Sequence, residues 1–303
     1  MRSRVPITGQ SCQIGKTKCL VYSAAQAGAG IISALDIRNT TAKAKGTGGL
    51  LQVSSYLTGN SGGSWLVSSM LFQGDPDVFD LVLGNTDKGG EINGWFLEKD
   101  VTLPGGPNPN DPKNQQYLGC VVGFIILHIV YIHLSYSNIF KSVVAKARAG
   151  FDTSVTDLWS LGLAYHFLSG LGGSNMMDAV TTTENFFTNE TSHGAGILWS
   201  DMTDLPVFQS HQFPLPIVVV DSLPVAKLPP NTAVFLNSTV YEFTPWELGS
   251  YDPNLSAFVD VRFMGTSLLD GKPANSSSCV TAFDQTSFIF GTSSSLFNVR
   301  ICA

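Results

Sequence analysis

Charge is what this 303-residue chain has least of. Asp, Glu, Lys and Arg make up 13% of it, against roughly a quarter of an ordinary soluble protein, so Ser, Thr, Asn and Gly must cover much of the surface. The net charge of −6 comes without any cluster of Lys and Arg, which excludes a nucleic-acid partner held through its phosphates. Cysteine is sparse too. Cys12, Cys19, Cys120, Cys279 and Cys302 contain no C-x-x-C pair, so the spacing of a zinc ribbon is missing, and an odd number leaves at least one thiol unpaired within the monomer. His128 and His133 stand five apart, not the four that aligns two metal ligands on a helix face. No metal and no cofactor is expected. Residues 1–18 are polar and lack the apolar segment of a signal peptide, and they are expected to be poorly ordered.

Apolar residues and acceptor sites for sugar are both plentiful. Hydrophobic residues reach 44%, enough for a substantial core. N-x-S/T sequons stand at Asn39, Asn189, Asn237, Asn254 and Asn275, which would sit on surface loops of a secreted glycoprotein.

One stretch organises the rest. Gly59-Asn60-Ser61-Gly62-Gly63 follows an apolar run, Leu50 to Leu57, that reads as a buried strand, and precedes Trp65 to Phe72, which reads as a helix start with Trp65, Leu66 and Met70 on its core face. A serine flanked at two residues on each side by glycine, between strand and helix, has the form of the G-x-S-x-G elbow. The turn is tight, so side chains on the flanking glycines would strike backbone. Gly62 and Gly63 leave bare amides at a helix N-terminus, where donors and dipole favour developing negative charge.

Elsewhere, Cys19 to Tyr22 reads as a short strand, Ala24 to Ile37 as a helix, and Thr40 to Gly49 as a loop. Gln73 to Pro112, rich in Gly, Pro, Asp and Asn, reads as a long surface connection. Leu118 to Leu134 carries no charged side chain over seventeen residues, the lower limit for a membrane span, with a buried helix or strand pair as the alternative. Its flanks lack the basic cluster of a cytoplasmic boundary. Phe140 to Gly150 has helical character, and Thr153 to Leu168 reads as an amphipathic helix carrying Leu158, Leu161, Tyr165 and Leu168. Strands are expected within Ile217–Val220, Val234–Phe243 and Cys279–Phe290. Strands mixed with helices indicate an α/β or α+β core.

Seven segments carry a resemblance. GGLLQVSSYLTGNSGGSWLVSSM, DTSVTDLW, SHGAGILWSD, FPLPIVVVDS, NSTVYEFTPWELGSYDP, GKPANSSSCVTAFDQTSF and GTSSSLFN resemble, in this order, segments of fungal lysophospholipases of the phospholipase B type, which share a catalytic module with cytosolic phospholipases A. The resemblance implies an α/β fold, a mixed central sheet with flanking helices in a three-layer core like that of phospholipase A and patatin. It also implies a serine–aspartate dyad that cleaves acyl esters of lysophospholipids or phospholipids at a membrane or micelle surface, with no histidine base and no metal, in a secreted or cell-surface protein. By position, Ser61 matches the nucleophile, while Gly59, Gly62 and Gly63 support the elbow and the oxyanion. His193, in SHGAG, reads as structural. No protein partner follows.

The sequence departs from that pattern in three places. Ser23 stands where the family has an arginine that meets phosphate, and Lys18 to Tyr22 replace its glycines. The family's catalytic aspartate lies beyond the block that ends at Asn298, and this chain ends five residues later. Residues 118–137 read as an insertion, and this segment, like Val299 to Ala303, resembles translated intervening sequence. Residues 19–303 therefore read as a single incomplete catalytic domain, truncated at its C-terminal end and impaired. The alternative is a catalytically dead lipid- or surface-binding glycoprotein that retains the fold.

Overall fold

A computed structural model describes residues 22–84, 94–108, 110–117, 138–168, 186–187, 192–222, 238–269, 272–274 and 279–295. Its helices begin with α1 (Ser23–Leu35), α2 (Thr40–Lys45) and α3 (Leu50–Val53). Strand β1 (Tyr56–Asn60) leads directly into α4 (Gly62–Phe72). Then come α5 (Val78–Leu83), α6 (Pro112–Tyr117), α7 (Asn138–Arg148), α8 (Val155–Phe167), a 3-10 turn at Ser200–Asp204 and α9 (Pro206–Gln209). The remaining strands are β2 (Leu215–Asp221), β3 (Val240–Phe243), β4 (Glu247–Ser250), β5 (Ala257–Asp260), β6 (Leu268–Leu269) and β7 (Lys272–Pro273), and the last helix is α10 (Thr286–Ser293).

Five strands form one mixed sheet in the order β1-β2-β3-β4-β5, flanked by helices. β1 and β2 are parallel, with Tyr56 opposite Leu215 and Asn60 opposite Val219. The other neighbours are antiparallel. Side chains alternate between faces of a sheet, so Gly59, Val218, Val220 and Phe243 share the buried face while Tyr56, Thr58 and Asn60 point the other way and are exposed. Val218, Val220 and Phe243 join one core cluster with Ala25 and Ile32 of α1, Trp65, Leu66, Met70 and Leu71 of α4, Leu163 and Phe167 of α8, and Ile289 and Phe290 of α10. Each large side chain buried this fully contributes about 1.5–3 kcal/mol.

Helix α4 is the centre of that cluster. Every residue from Gly62 to Phe72 except Gly63 is buried, so its serines have no water to bond. Ser68 Oγ donates to Ser64 C=O at 2.7 Å and Ser69 Oγ to Leu66 C=O at 3.1 Å, back-bonding that satisfies a hydroxyl inside a helix.

Several expectations need correction. The run Leu50 to Leu57 is not one buried strand: Leu50–Val53 is helical, the strand starts at Tyr56, and Leu50, Val53 and Tyr56 are exposed. Gly49 at φ 108° caps the start of the helix, and the bend at Ser55 divides the run. Thr40 to Gly49 is not simply a loop, because Asn39 caps α2 at its start and Gly46 at φ 80° closes it, the signals of a short helix. Within Gln73 to Pro112, α5 forms behind an Asp77 cap, and Trp95, Phe96 and Val101 are buried, so part of that connection is core. The helix over 155–167 has no polar face; Thr156, Asp157, Ser160, Tyr165 and His166 are buried along with its apolar residues.

The strand expected in Cys279–Phe290 is replaced by helix α10. A Cβ on Gly291 would lie 1.9 Å from Ser160 Oγ of α8, so the missing side chain lets the two helices touch, and that contact overrides the strand preference of Phe288, Ile289 and Phe290. Residues 1–18, the strand expected over Cys19–Tyr22 apart from Tyr22 itself, the apolar run Leu118–Leu134 and residues 299–303 lie outside the described residues. Tyr22 is a buried bend that precedes α1. Among the described residues no helix is long and apolar enough to cross a membrane.

Candidate active site

Ser61 sits between the last residue of β1 and the first of α4, with φ 52° and ψ −126°. A residue with a side chain holds such a conformation at a cost of about 1–3 kcal/mol and only where its surroundings dictate it. They do so from both sides. Its N–H donates to Ser293 Oγ at 2.9 Å, while its C=O accepts from the Ser64 amide at 2.9 Å and from Ser64 Oγ at 2.5 Å. The backbone is tied and the half-buried side chain is left to project from the bend.

The glycines around it differ in purpose. A Cβ on Gly59 would stand 2.5 Å from Gly63 C=O and 2.7 Å from Ser64 N, a backbone collision that accounts for glycine there. A Cβ on Gly62 would meet the Ala25 amide at 2.9 Å and Ala24 Cβ at 3.0 Å, so the first turn of α1 rests on the first turn of α4. Gly63 meets nothing within 4 Å. The expected collision at that position is therefore absent, and the space beside the serine is open there. Gly62 and Gly63 are the first two residues of α4, whose amides a helix leaves without acceptors of its own.

Two further contacts were not foreseen. Ser294 Oγ accepts from the indoles of Trp65 and Trp159, at 3.1 and 3.0 Å, and donates to Phe290 C=O at 2.8 Å. One hydroxyl thus joins α4, α8 and the end of α10. Asn60 Nδ2 donates to Asp221 Oδ2 at 3.3 Å, so the end of β2 brings a carboxylate beside the residue that precedes Ser61. The signals for both were a serine run at 293–295 and an aspartate closing an apolar strand, each too common to single out.

The described histidines lie in packed or peripheral positions. His193 is buried and stacked on Tyr165, with ring centroids 3.9 Å apart. His166 is fully buried, its Nδ1 is 2.8 Å from Gly162 C=O, and burial pushes its pKa down to about 4. His211 is exposed. Among the described residues no three His, Cys, Asp or Glu side chains are grouped to hold a metal ion.

Of the sequons, Asn254 lies exposed in a turn. Asn39 is committed to the fold: its Oδ1 accepts from the Thr41 and Ala42 amides, and its Nδ2 donates to Ser33 C=O and Oγ. Asn189, Asn237 and Asn275 lie outside the described residues.

A mixed sheet that presents a serine at a sharp strand-to-helix bend, with bare helix amides beside it, is an architecture used by serine acyl hydrolases. The family itself follows from comparison with known proteins. A model of the lysophospholipase catalytic domain matches residues 21–186 and 179–303, and the chain belongs to that family. Lysophospholipase 2 of Saccharomyces cerevisiae is 35% identical over 98% of this chain and 35% of its own length. A lysophospholipase of Kluyveromyces lactis is 36% identical over 91% and 36%, and lysophospholipase 3 of Candida albicans 37% identical over 91% and 30%. The chain thus spans about a third of the length of these relatives. Human GIVD cytosolic phospholipase A2 superposes with a TM-score of 0.48 at 16% identity, over 90% of this chain and 26% of that one.

Proposed function

We propose that Ser61 is the nucleophile of an acyl-ester hydrolase that releases fatty acid from lysophospholipids or phospholipids presented at a membrane or micelle surface. The observation that carries this reading is the backbone of Ser61, held at φ 52° with both its peptide groups tied. In this scheme Ser61 Oγ adds to the ester carbonyl and gives up its proton to a carboxylate. The carbonyl oxygen, now charged, is held by the Gly62 and Gly63 amides. The tetrahedral species collapses to an acyl-serine, the glycerophosphoryl alkoxide leaves with the proton, and water then cleaves the acyl-serine to free fatty acid. In the family this chain resembles, that carboxylate is an aspartate beyond the block that ends at Asn298, and residues 299–303 contain none.

A second reading is favoured by Ser23. It is the first residue of α1, whose initial turn packs on Gly62, and the resemblance calls for a phosphate-binding arginine there. Serine in its place weakens phosphate capture and is consistent with a non-catalytic lipid- or surface-binding glycoprotein. Secretion with glycan at Asn254 belongs to either reading. An alkyl fluorophosphonate separates them: covalent labelling of Ser61, together with fatty-acid release from lysophosphatidylcholine micelles, supports hydrolysis. Micelle binding without labelling supports the second reading.

A further inference from the structure

The Ser61 amide and the Val219 carbonyl face one another at the end of the β1–β2 pair. Leu215 N–H donates to Ser55 C=O at 2.9 Å, and a parallel ladder bonds through alternate residues of a strand. Leu215, Ile217 and Val219 are thus the bonding residues of β2. With Asn60 opposite Val219, the next rung is due between Ser61 N–H and Val219 C=O. That rung is indirect. Ser61 N–H donates to Ser293 Oγ at 2.9 Å, and the Ser293 hydroxyl donates onward to Val219 C=O at 2.7 Å.

We propose that Ser293 is a positioning residue, its hydroxyl wedged into the parallel ladder as the last rung so that Ser61 is held out of strand geometry and presented for reaction. The role rests on Ser61 being the nucleophile. A hydroxyl suits this place because it has one proton to give Val219 and a lone pair to accept Ser61. Without it the two strand groups are free to bond directly, which draws Ser61 back toward extended backbone and turns its side chain away. The wedge is itself located: the neighbouring Ser294 Oγ is fixed by the Trp65 and Trp159 indoles, so α4 and α8 decide where α10 ends. Ser295 Oγ, which donates to Thr292 C=O at 3.1 Å within its own turn, has no part in the rung and serves as the control.

The test uses the full chain and the rate of fluorophosphonate labelling at Ser61, resolved into reversible affinity and covalent step. Ser293→Ala is expected to slow the covalent step about 100-fold, the scale on which roughly an ångström of misplacement acts, with reversible affinity unchanged. Ser293→Thr, which keeps the hydroxyl, should recover most of the rate, and Ser295→Ala should match the parent. An unchanged rate in Ser293→Ala, or failure of Ser293→Thr to exceed it, overturns the proposal. If the parent chain itself does not label, the hydrolase reading fails for this chain, and a crystal structure of Ser293→Ala still decides the wedge. Ser61 at negative φ with a direct bond to Val219 C=O supports it, and Ser61 still at positive φ overturns it.

Discussion

The two halves of the sheet end their strands differently. β3, β4 and β5 are antiparallel and close through local turns; between β3 and β4, Thr244 N–H donates to Glu247 C=O at 2.9 Å and Glu247 N–H returns to Thr244 Oγ1 at 3.0 Å. The pair β1–β2 is parallel and cannot close on itself. Its ladder is terminated from outside, by Ser293 of the last helix. A hairpin that satisfies its own end needs nothing further, whereas a parallel pair leaves groups at its carboxyl end that distant chain must complete. Crevices outside the carboxyl ends of parallel strands are where α/β proteins place ligands, and Ser61 stands in that position.

Six substitutions and a change of pH break or sharpen this contrast. The largest effect is expected from Ser61→Ala, which should abolish fluorophosphonate labelling, while Ser61→Gly should also raise stability by about 1 kcal/mol as glycine relieves the positive φ. A thermal melt and a labelling assay on the same samples check both. Next, Gly59→Ala forces a Cβ against the backbone of a buried helix start and is expected to cost about 3 kcal/mol and the labelling together. Gly63→Ala, in open space, should gain up to about 1 kcal/mol from helix propensity. A Gly59→Ala protein as stable as the parent would contradict the steric account.

Acid provides a further probe. His166, on helix α8, which packs against α10 and α4, has its pKa lowered by burial to about 4 from 6.5, so the folded state resists a proton that the unfolded chain accepts. Its contribution is fully present above pH 6.5 and is lost as the pH falls toward 4, by up to about 3 kcal/mol. Asp201 works in the opposite sense, since burial raises its pKa. Urea melts at pH 7 and 4.5 should show the loss, and His166→Gln should flatten it. The smallest loss is expected from Gly249→Ala in the antiparallel half. Its Cβ would lie 2.5 Å from Ala257 C=O, but among the described residues β5 is an edge strand that can shift, so we expect a loss of about 1 kcal/mol with the labelling rate untouched. A changed rate would show that the two halves are coupled.

Legibility in the sequence followed the range of the determining interactions. Ser61, Gly59 and the helix after them were readable because the elbow is a local pattern, and the apolar run ending at Asp221 was readable as a strand because burial on both neighbours selects Val and Ile. The extra residues of the site were not. Ser293 and Ser294 lie 232 and 229 residues from their partners Ser61 and Trp65, and no periodicity connects such positions. The wrong strand at 279–290 has the same origin, since the Gly291–Ser160 contact that makes it a helix spans two distant segments.

The sequence by itself determined a serine bend, the apolar segments that build the core and membership of a lysophospholipase family, because each is written in neighbouring residues whose sterics and spacing act locally. Only the tertiary structure decided that the bend is held at positive φ, which glycine is sterically required, and that a hydroxyl from the last helix ends the parallel ladder. A hydrogen bond is made or lost by fractions of an ångström between atoms, and folding alone brings those atoms together.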